Sequence, residues 1–212
     1  MKHQFILFLS FCTLHLFANA QILELNPAFP TVNDVVTVTY DATQGNAALV
    51  GQSQIYCHAG LITSASTSPT NWQFVQGNWG TVDPEVAMTN IGNNKHTITI
   101  DIDQFYGFPA GTNVLKLAFV FRNASGNVVG RAADGSDIYY DIYPTNAGLL
   151  ASFFHPTSST ILDINEQLSI EAAANQAATL TLKENGTVLQ SSTNATQLNY
   201  TLTASTAGTH LL

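Results

Sequence analysis

The chain has 212 residues, a formal net charge of −8 and only 6 lysine and arginine residues. Such an acidic sequence has no basic patch to follow a phosphate backbone, which argues against nucleic acid as a partner. Charged residues make up only 9% of the sequence, and serine, threonine, asparagine and glutamine are abundant. This composition predicts an extracellular protein or one with a neutral, hydroxyl-rich ligand.

The first twenty residues have the pattern of a secretory signal peptide. A short basic start, Met1–His3, precedes an apolar run from Phe5 to Phe17, and Ala18–Ala20 fits the small-x-small cleavage pattern. The run is too short for a membrane-spanning helix, which needs about 20 apolar residues. We therefore predict a secreted protein, extracellular or at the cell surface, with a signal peptide at 1–20 and no membrane span.

Short β-branched runs alternate with turn sequences from Gln21 to Tyr143. The predicted strands are 22–25, 35–40, 54–59, 72–75, 85–89, 97–102, 114–122, 128–129 and 138–142, with a helical turn at 104–107. No stretch has the three-four periodicity of a long helix. Short strands at regular spacing with turns between them indicate an all-β sandwich over residues 21–143.

The strand pattern restarts after a turn sequence at 143–148. Further strands are predicted at 149–154, 160–164, 168–173, 178–183, 188–189 and 198–202, with a hairpin turn at 184–186. Five or so strands predict an immunoglobulin-like module over 148–212. Because 208–212 has the pattern of a strand that is only beginning, we expect this module to be incomplete at its C-terminus. The expected fold is thus two immunoglobulin-like β-sandwich modules in tandem.

The stretch 54–89 holds the candidate binding residues. A pyranose ring packs its C–H face on an indole or phenol ring, and its hydroxyls need donors and acceptors such as histidine, asparagine and glutamine. Tyr56, His58, Trp72 and Trp79 are therefore the candidate carbohydrate-binding residues. The amide side chains beside them in the sequence are Asn71, Gln73 and Asn78. The alternative is that the tryptophans belong to the core and that His58 is structural.

The sequence contains no catalytic constellation. The Gly-X-Ser-X-Gly, His-Glu-X-X-His and phosphate-loop motifs are absent from it. Asp101 and Asp103 are expected on one strand face, without a partner that would raise the pKa of either carboxyl. Residues 134–137 (Asp-Gly-Ser-Asp) have the composition of a turn, with a calcium site as the weaker alternative. We expect no other cofactor.

The remaining histidines and the cysteine of the stretch 54–89 are expected to be inert. Isolated surface positions are predicted for His96, His155 and His210. Cys57 is predicted to be a buried thiol without a redox role, because small hydrophobic thiols are usually buried and no partner thiol follows it.

Several segments resemble a known family. The resemblance rests on VTVTYDATQGNAALVG, IYCHAGLIT, NWQFVQGNWG, YGFPAGT and LAFVFRNASGNVVGRAADGSDI. Together they resemble the N-terminal module ahead of the catalytic barrel in secreted bacterial alpha-amylase-type enzymes. The His-x-Gly with a downstream tryptophan is also similar to the starch-binding carbohydrate-binding modules of families twenty-five and twenty-six. The resemblance covers Val35 to Ile142, and beyond Gly148 it is only to a generic immunoglobulin-like linker domain.

The resemblance implies a non-catalytic front part of a secreted α-glucan (starch)-degrading enzyme, which binds or positions polysaccharide. His58 and Trp72 match the α-glucan-contacting positions, with Trp79 and Tyr56 beside them. No catalytic barrel motif occurs here, so hydrolysis would belong to a catalytic domain C-terminal to this chain. The alternative is a structural or adhesive immunoglobulin-like spacer with no sugar ligand. A sugar platform should leave a tryptophan exposed and coplanar with another aromatic ring.

Overall fold

A computed structural model describes residues 21–156 and 159–212, so the predicted signal peptide at 1–20 lies outside the described residues. The strands in chain order are β1 (Leu23–Asn26), β2 (Val35–Asp41), β3 (Tyr56–Thr63), β4 (Gln73–Gln76), β5 (Thr89–Gly92), β6 (Lys95–Asp101), β7 (Val114–Arg122), β8 (Val129–Gly130), β9 (Ile138–Asp141), β10 (Ala151–His155), β11 (Gln167–Glu184) and β12 (Thr187–Thr203). A short helix, α1 (Ile102–Tyr106), and a 3₁₀ turn (Pro84–Val86) interrupt them. The predicted all-β fold is confirmed.

Two antiparallel sheets pack face to face over one core. The first has the order β1-β2-β6-β5, and the second has the order β4-β3-β7-β8 with β9 also paired to β7. Their inward side chains form a single cluster of buried residues. At its centre the rings of Tyr40 and Phe121 stack with centroids 4.0 Å apart. Burial of apolar area between the two layers is the main stabilising term of such a sandwich.

The two central strands show why these sequences form this sandwich. In β2 the side chains of Val36 and Val38 are buried and those of Thr37 and Thr39 are partly exposed, as the alternation of a half-buried strand requires. β7 (VLKLAFVFR) is buried on both faces over its last six residues. The sequence of a strand that is covered on both faces is apolar at nearly every position, without alternation. The predicted bounds of this strand, 114–122, are confirmed.

The predicted strand 85–89 is wrong. Asp83 accepts a hydrogen bond from the backbone N–H of Glu85, and Pro84 stands at the first position of the 3₁₀ turn. An aspartate cap followed by proline favours a helical turn over a strand. Strand β5 therefore starts later, at Thr89, and turns into β6 through Asn93 and Asn94 at positive φ.

Two further expectations in this region are wrong. Asp101 and Asp103 do not share a strand face, because Asp101 ends β6 as the N-cap of α1 and Asp103 lies inside that helix. His96 is not a surface residue, since it is fully buried in β6 opposite Tyr40. A polar residue in an alternating strand faces inward when the register requires it, whatever its chemistry.

The segment after Gly148 forms one three-stranded antiparallel sheet in the order β10-β11-β12. The predicted strand 160–164 does not form, since the chain there turns through Asp163 and Asn165 instead. The strand pairs predicted at 168–173 with 178–183, and at 188–189 with 198–202, each merge into one long strand. The five or so predicted strands are thus three, and a second sandwich stays a prediction.

The long hairpin has a small apolar cluster of its own, formed by Leu168, Ile170, Leu182 and Leu198. Its turn is at Asn185 and Gly186, both at positive φ, as predicted for the Glu-Asn-Gly sequence. The side chain of Phe154 on β10 meets Phe29 edge to face at 5.7 Å, which joins this sheet to the sandwich. No helix in residues 21–156 or 159–212 has the length and apolar content that crossing a membrane requires.

Candidate functional site

Three of the four candidate residues, His58, Trp72 and Trp79, lie on the outer face of the second sheet. In β3, Cys57 and the residues two and four positions later join the core cluster, so His58 between them faces away from the first sheet. Tyr56, at the start of the strand, is itself a buried member of that cluster. The register places Tyr56 opposite Arg122 and His58 opposite Val120 on β7. Residues directly opposite each other in an antiparallel pair lie on the same face. Strand register therefore places Tyr56 beside Arg122 and His58 beside Val120, although the partners are far apart in sequence.

A floor of small residues lets an indole lie against this face. Gly60 on β3 pairs with Ala118 on β7, which pairs in turn with Tyr139 on β9. A Cβ added at Gly60 would stand 3.0 Å from two carbon atoms of Trp72. Only glycine leaves room for so close an approach. Trp72 is half-buried, and its Nε1 lies beside the Tyr139 hydroxyl without a hydrogen bond of normal geometry.

His58 is the centre of an aromatic cluster that includes both tryptophans. Its ring lies 6.0 Å from that of Trp72 at an interplanar angle of 29°, and 5.2 Å from that of Trp79 at 86°. Trp79 is 47% exposed. The three rings thus form a corner with one exposed indole wall, which we call the aromatic corner (His58, Trp72 and Trp79). It is not the flat, coplanar platform that a simple stacking surface would present.

One ring nitrogen of His58 is tied to the backbone. Its Nδ1 lies 2.9 Å from the carbonyl oxygen of Gly77, and a carbonyl can only accept, so Nδ1 carries the proton. Burial lowers the pKa of His58, the Gly77 bond raises it, and the charges of Arg122 and Asp137 act in opposite directions. In the neutral ring, Nε2 is left with its lone pair as a hydrogen-bond acceptor.

Backbone strain lies within the segment that carries the tryptophans. Phe74 on β4 has φ 51°, in the left-handed region that a bulky residue rarely adopts. The register between β3 and β4 shifts at this point, between Ala59 and Leu61. The bulge turns Phe74 toward the core, where it packs against Phe108. A left-handed φ at a bulky residue costs about 1–3 kcal/mol, and residues with such strain cluster at functional sites.

Tyr56 occupies a different position from the other candidates. It is only 5% exposed, and the guanidinium of Arg122 lies 5.0 Å from its ring centroid. Its ring is therefore covered, whereas that of Trp79 is open. Sequence reasoning missed Arg122, because a charged residue that ends an apolar strand normally marks the strand's exit into solvent.

The three neighbouring amides hold the loops that carry the tryptophans. Gln73 donates through Nε2 to the backbone and side-chain oxygens of Asn71, at 3.2 and 3.1 Å. Asn78 donates its backbone and side-chain N–H groups to Asp83. These bonds lower the pKa of Asp83. Each amide is thereby oriented within its own loop next to the aromatic corner.

The acidic residues near this face are engaged in turns and ion pairs. Asp134 accepts from the backbone N–H of Ser136 at 2.9 Å across a tight turn, and Asp137 pairs with Arg131. Within the described ranges there is no group of three or more histidine, cysteine, aspartate or glutamate side chains placed to hold a metal ion. Cys57 on β3 is buried in the core cluster, and burial raises the pKa of its thiol to about 12.

Comparison with known proteins gives one family and no annotated relative. A family model described as a domain of unknown function (DUF8578) matches residues 23–129. That range is half of the chain and contains the whole aromatic corner together with Tyr56 and Arg122. No curated protein matches the sequence.

Proposed function

Because this chain belongs to the family described as a domain of unknown function (DUF8578), we propose its function from the geometry of the aromatic corner: the sandwich binds a neutral carbohydrate chain. The observation that carries the proposal is the half-exposed indole of Trp79 standing edge to face on a neutral His58. An open indole face buries sugar C–H groups, and a lone pair beside it accepts a hydroxyl hydrogen.

The ligand class follows from charge and shape. The described acidic side chains nearby are already paired or capping, and the His58 lone pair favours a donor hydroxyl over an anion. A two-walled corner suits a curved, hydroxyl-bearing chain better than a flat crystalline surface. Together with the resemblance to starch-binding modules, this favours an α-glucan. We further propose that the chain serves as a non-catalytic module of a secreted α-glucan-degrading enzyme.

The test is titration calorimetry of the protein with maltoheptaose, beside cellohexaose as a β-linked glucan of similar chemistry. We expect saturable binding of the α-linked sugar. Trp79→Ala should reduce its affinity roughly tenfold or more, since an indole face buries apolar area worth about 1.5–3 kcal/mol. Phe153→Ala is the matched control, because Phe153 is an exposed aromatic residue on the other sheet unit.

The outcomes separate the candidate functions. Equal affinity for both sugars would support a carbohydrate site and reject its specificity for α-glucans. Binding of neither sugar by a folded protein would reject the carbohydrate proposal and leave a structural or adhesive spacer. That second candidate has its own observation, since Phe29 contacts both Tyr143 and Phe154 and so braces the two sheet units against each other.

A further inference from the structure

Arg122 is a charged residue fully buried in the sandwich, and no carboxylate in the described part of the chain forms an ion pair with it. Taking a guanidinium out of water is costly unless its donors are satisfied and its charge is compensated. Burial lowers the pKa of Arg122, and the nearby Asp83 raises it. A guanidinium that is buried without an ion pair must therefore make other contacts that compensate the cost of its burial.

The guanidinium joins two loops at one end of the second sheet. Its Nη1 donates to the backbone carbonyls of Asn123 at 3.0 Å and Ala124 at 3.2 Å, in the loop after β7. Its Nη2 donates to the carbonyl of Asn78, in the loop that carries Trp79. The planar fork of arginine suits such a bridge, because its donors point in fixed directions.

The same group lies against two aromatic rings. Its central carbon is 5.0 Å from the ring centroid of Tyr56 and 5.9 Å from that of Trp79. Cations within about 6 Å of an aromatic centroid are attracted by the ring quadrupole, and the attraction grows when the pair is desolvated. Arg122 therefore contacts the exposed indole from the protein side.

The two loops also pack directly on each other beneath that indole. A Cβ added at Gly126 would stand 2.7 Å from Nε1 of Trp79 and 3.2 Å from the backbone nitrogen of Gly80. The loop after β7 thus forms the seat of the Trp79 ring. The guanidinium holds this seat to the loop that carries the ring.

We propose that Arg122 is the positioning residue of the site: its guanidinium clamps the 78–83 loop to the 123–126 loop and so fixes the exposed indole of Trp79. The importance of this clamp for a ligand rests on the proposed function, whereas the clamp itself does not. A buried guanidinium takes no part in ligand contact. It keeps the indole wall in one orientation before any ligand arrives, which reduces the ordering cost of binding.

The two tryptophans allow a test with an internal control. In the full chain, Trp72→Phe leaves Trp79 as the single tryptophan, and Trp79→Phe leaves Trp72 as the single tryptophan. Into each background we would introduce Arg122→Lys, Arg122→Met and the control Arg131→Met, and measure acrylamide quenching without any sugar. Arg131→Met removes an arginine that pairs with Asp137 and that, in the described residues, has no cation–π contact with either tryptophan.

We expect both Arg122 variants to raise the quenching constant of Trp79 at least about twofold, because both lose the guanidinium fork and Arg122→Met also loses the cation–π contact. Lysine keeps the charge but cannot reach both loops at once. The quenching of Trp72 should stay unchanged in the Arg122 variants, and Arg131→Met should leave both tryptophans unchanged. Equal changes at Trp72 and Trp79 would show a general loosening of the fold and would overturn the clamp.

Nuclear magnetic resonance of the unchanged protein decides the matter even if Arg122→Met does not fold. The Arg122 guanidinium protons should exchange slowly with solvent and show Overhauser contacts to the Trp79 indole. Free exchange, or absence of those contacts, would overturn the proposal. Neither experiment contains a sugar, so the two proposals can fail separately. If the Arg122 variants raise the quenching of Trp79 but the unchanged protein binds no glucan, the proposed function is refuted and the clamp stands.

Discussion

The imidazole of His58 and the carbonyl of Gly77 are 2.9 Å apart, and this single contact determines the hydrogen-bonding character of the aromatic corner. The carbonyl can only accept, so the proton is on Nδ1 and the second nitrogen is an acceptor. Gly77 itself has φ 92°, and a Cβ there would stand 3.0 Å from the carbonyl oxygen of Cys57. Glycine is thus needed to bring this carbonyl to the ring.

The tautomer of His58 is directly measurable. Long-range nitrogen–proton correlation at neutral pH should give the His58 Nδ1 the shift of a protonated nitrogen and Nε2 that of a bare one. His58→Phe keeps an aromatic ring against Trp72 but removes both nitrogens, so affinity for maltoheptaose should fall roughly two- to tenfold, the worth of one net hydrogen bond. Unchanged affinity in this variant would remove His58 from the ligand contacts.

Stability should decrease in mild acid because of two histidines. Burial lowers the pKa of both His58 and His96 in the folded protein. Below the unfolded value of about 6.5, the unfolded chain takes up protons that the folded chain does not, so the free energy of unfolding falls as pH decreases. The fall should begin near pH 7 and end below the lowered folded pKa values. Urea unfolding at a series of pH values measures this slope.

His96→Leu should flatten that slope. The His96 ring is fully buried, and although backbone groups of Ser53, Asn94 and Gln52 lie around it, neither ring nitrogen makes a hydrogen bond of normal geometry within the described residues. An apolar side chain of similar volume removes the titration with little cost in packing. A slope equal to that of the unchanged protein would contradict the burial of this histidine.

Gly126→Ala should both destabilise the protein and move Trp79. Gly126 has φ 70°, where an alanine costs about 1–2 kcal/mol, and its added Cβ would also collide with the indole. Gly135→Ala is the matched control, because Gly135 has φ 83° but open space around it. Both variants should lower the unfolding midpoint in urea, while only Gly126→Ala should shift Trp79 emission. A shift in both would mean that strain alone moves the loop.

Tyr40 and Gly130 should be energetically coupled. The Tyr40 hydroxyl is buried without a hydrogen-bond partner in the described residues, and it would overlap a Cβ added at Gly130. Tyr40→Phe alone should be neutral or slightly stabilising, since no bond is lost. Gly130→Ala should cost about 1–3 kcal/mol by overpacking, and the double variant should recover part of this loss. Strict additivity of the two single effects would contradict the contact.

Cys57 should be unreactive until the sandwich unfolds. Its thiol is 2% exposed, and burial raises its pKa to about 12, so almost no thiolate exists at pH 8. In a Cys12→Ser background, Ellman's reagent should find no reactive thiol in the folded protein and one per chain in denaturant. Rapid labelling of the folded protein would show that β3 opens readily.

What could be predicted from the sequence alone was local. Alternation and β-branched content gave the all-β class, β2 within one residue, both bounds of β7 and the Asn-Gly hairpin turn, because these depend on residues within one strand or turn. Strand ends governed by capping, such as the 3₁₀ turn at Pro84, were missed. So was the continuity of β11 and β12, since polar strands pair as well as apolar ones once a neighbour supplies the hydrogen bonds.

The candidate site also divides into features that a local sequence pattern predicts and features that depend on long-range contacts. Aromatic and histidine chemistry in one stretch was enough to nominate His58, Trp72 and Trp79, and the fold brings those three together. Only the tertiary structure decided that Tyr56 is covered, that His96 is buried and that Arg122 lies under the Trp79 ring. The physical reason is register: which residue faces which across two strands far apart in sequence depends on long-range pairing, and no local pattern encodes it.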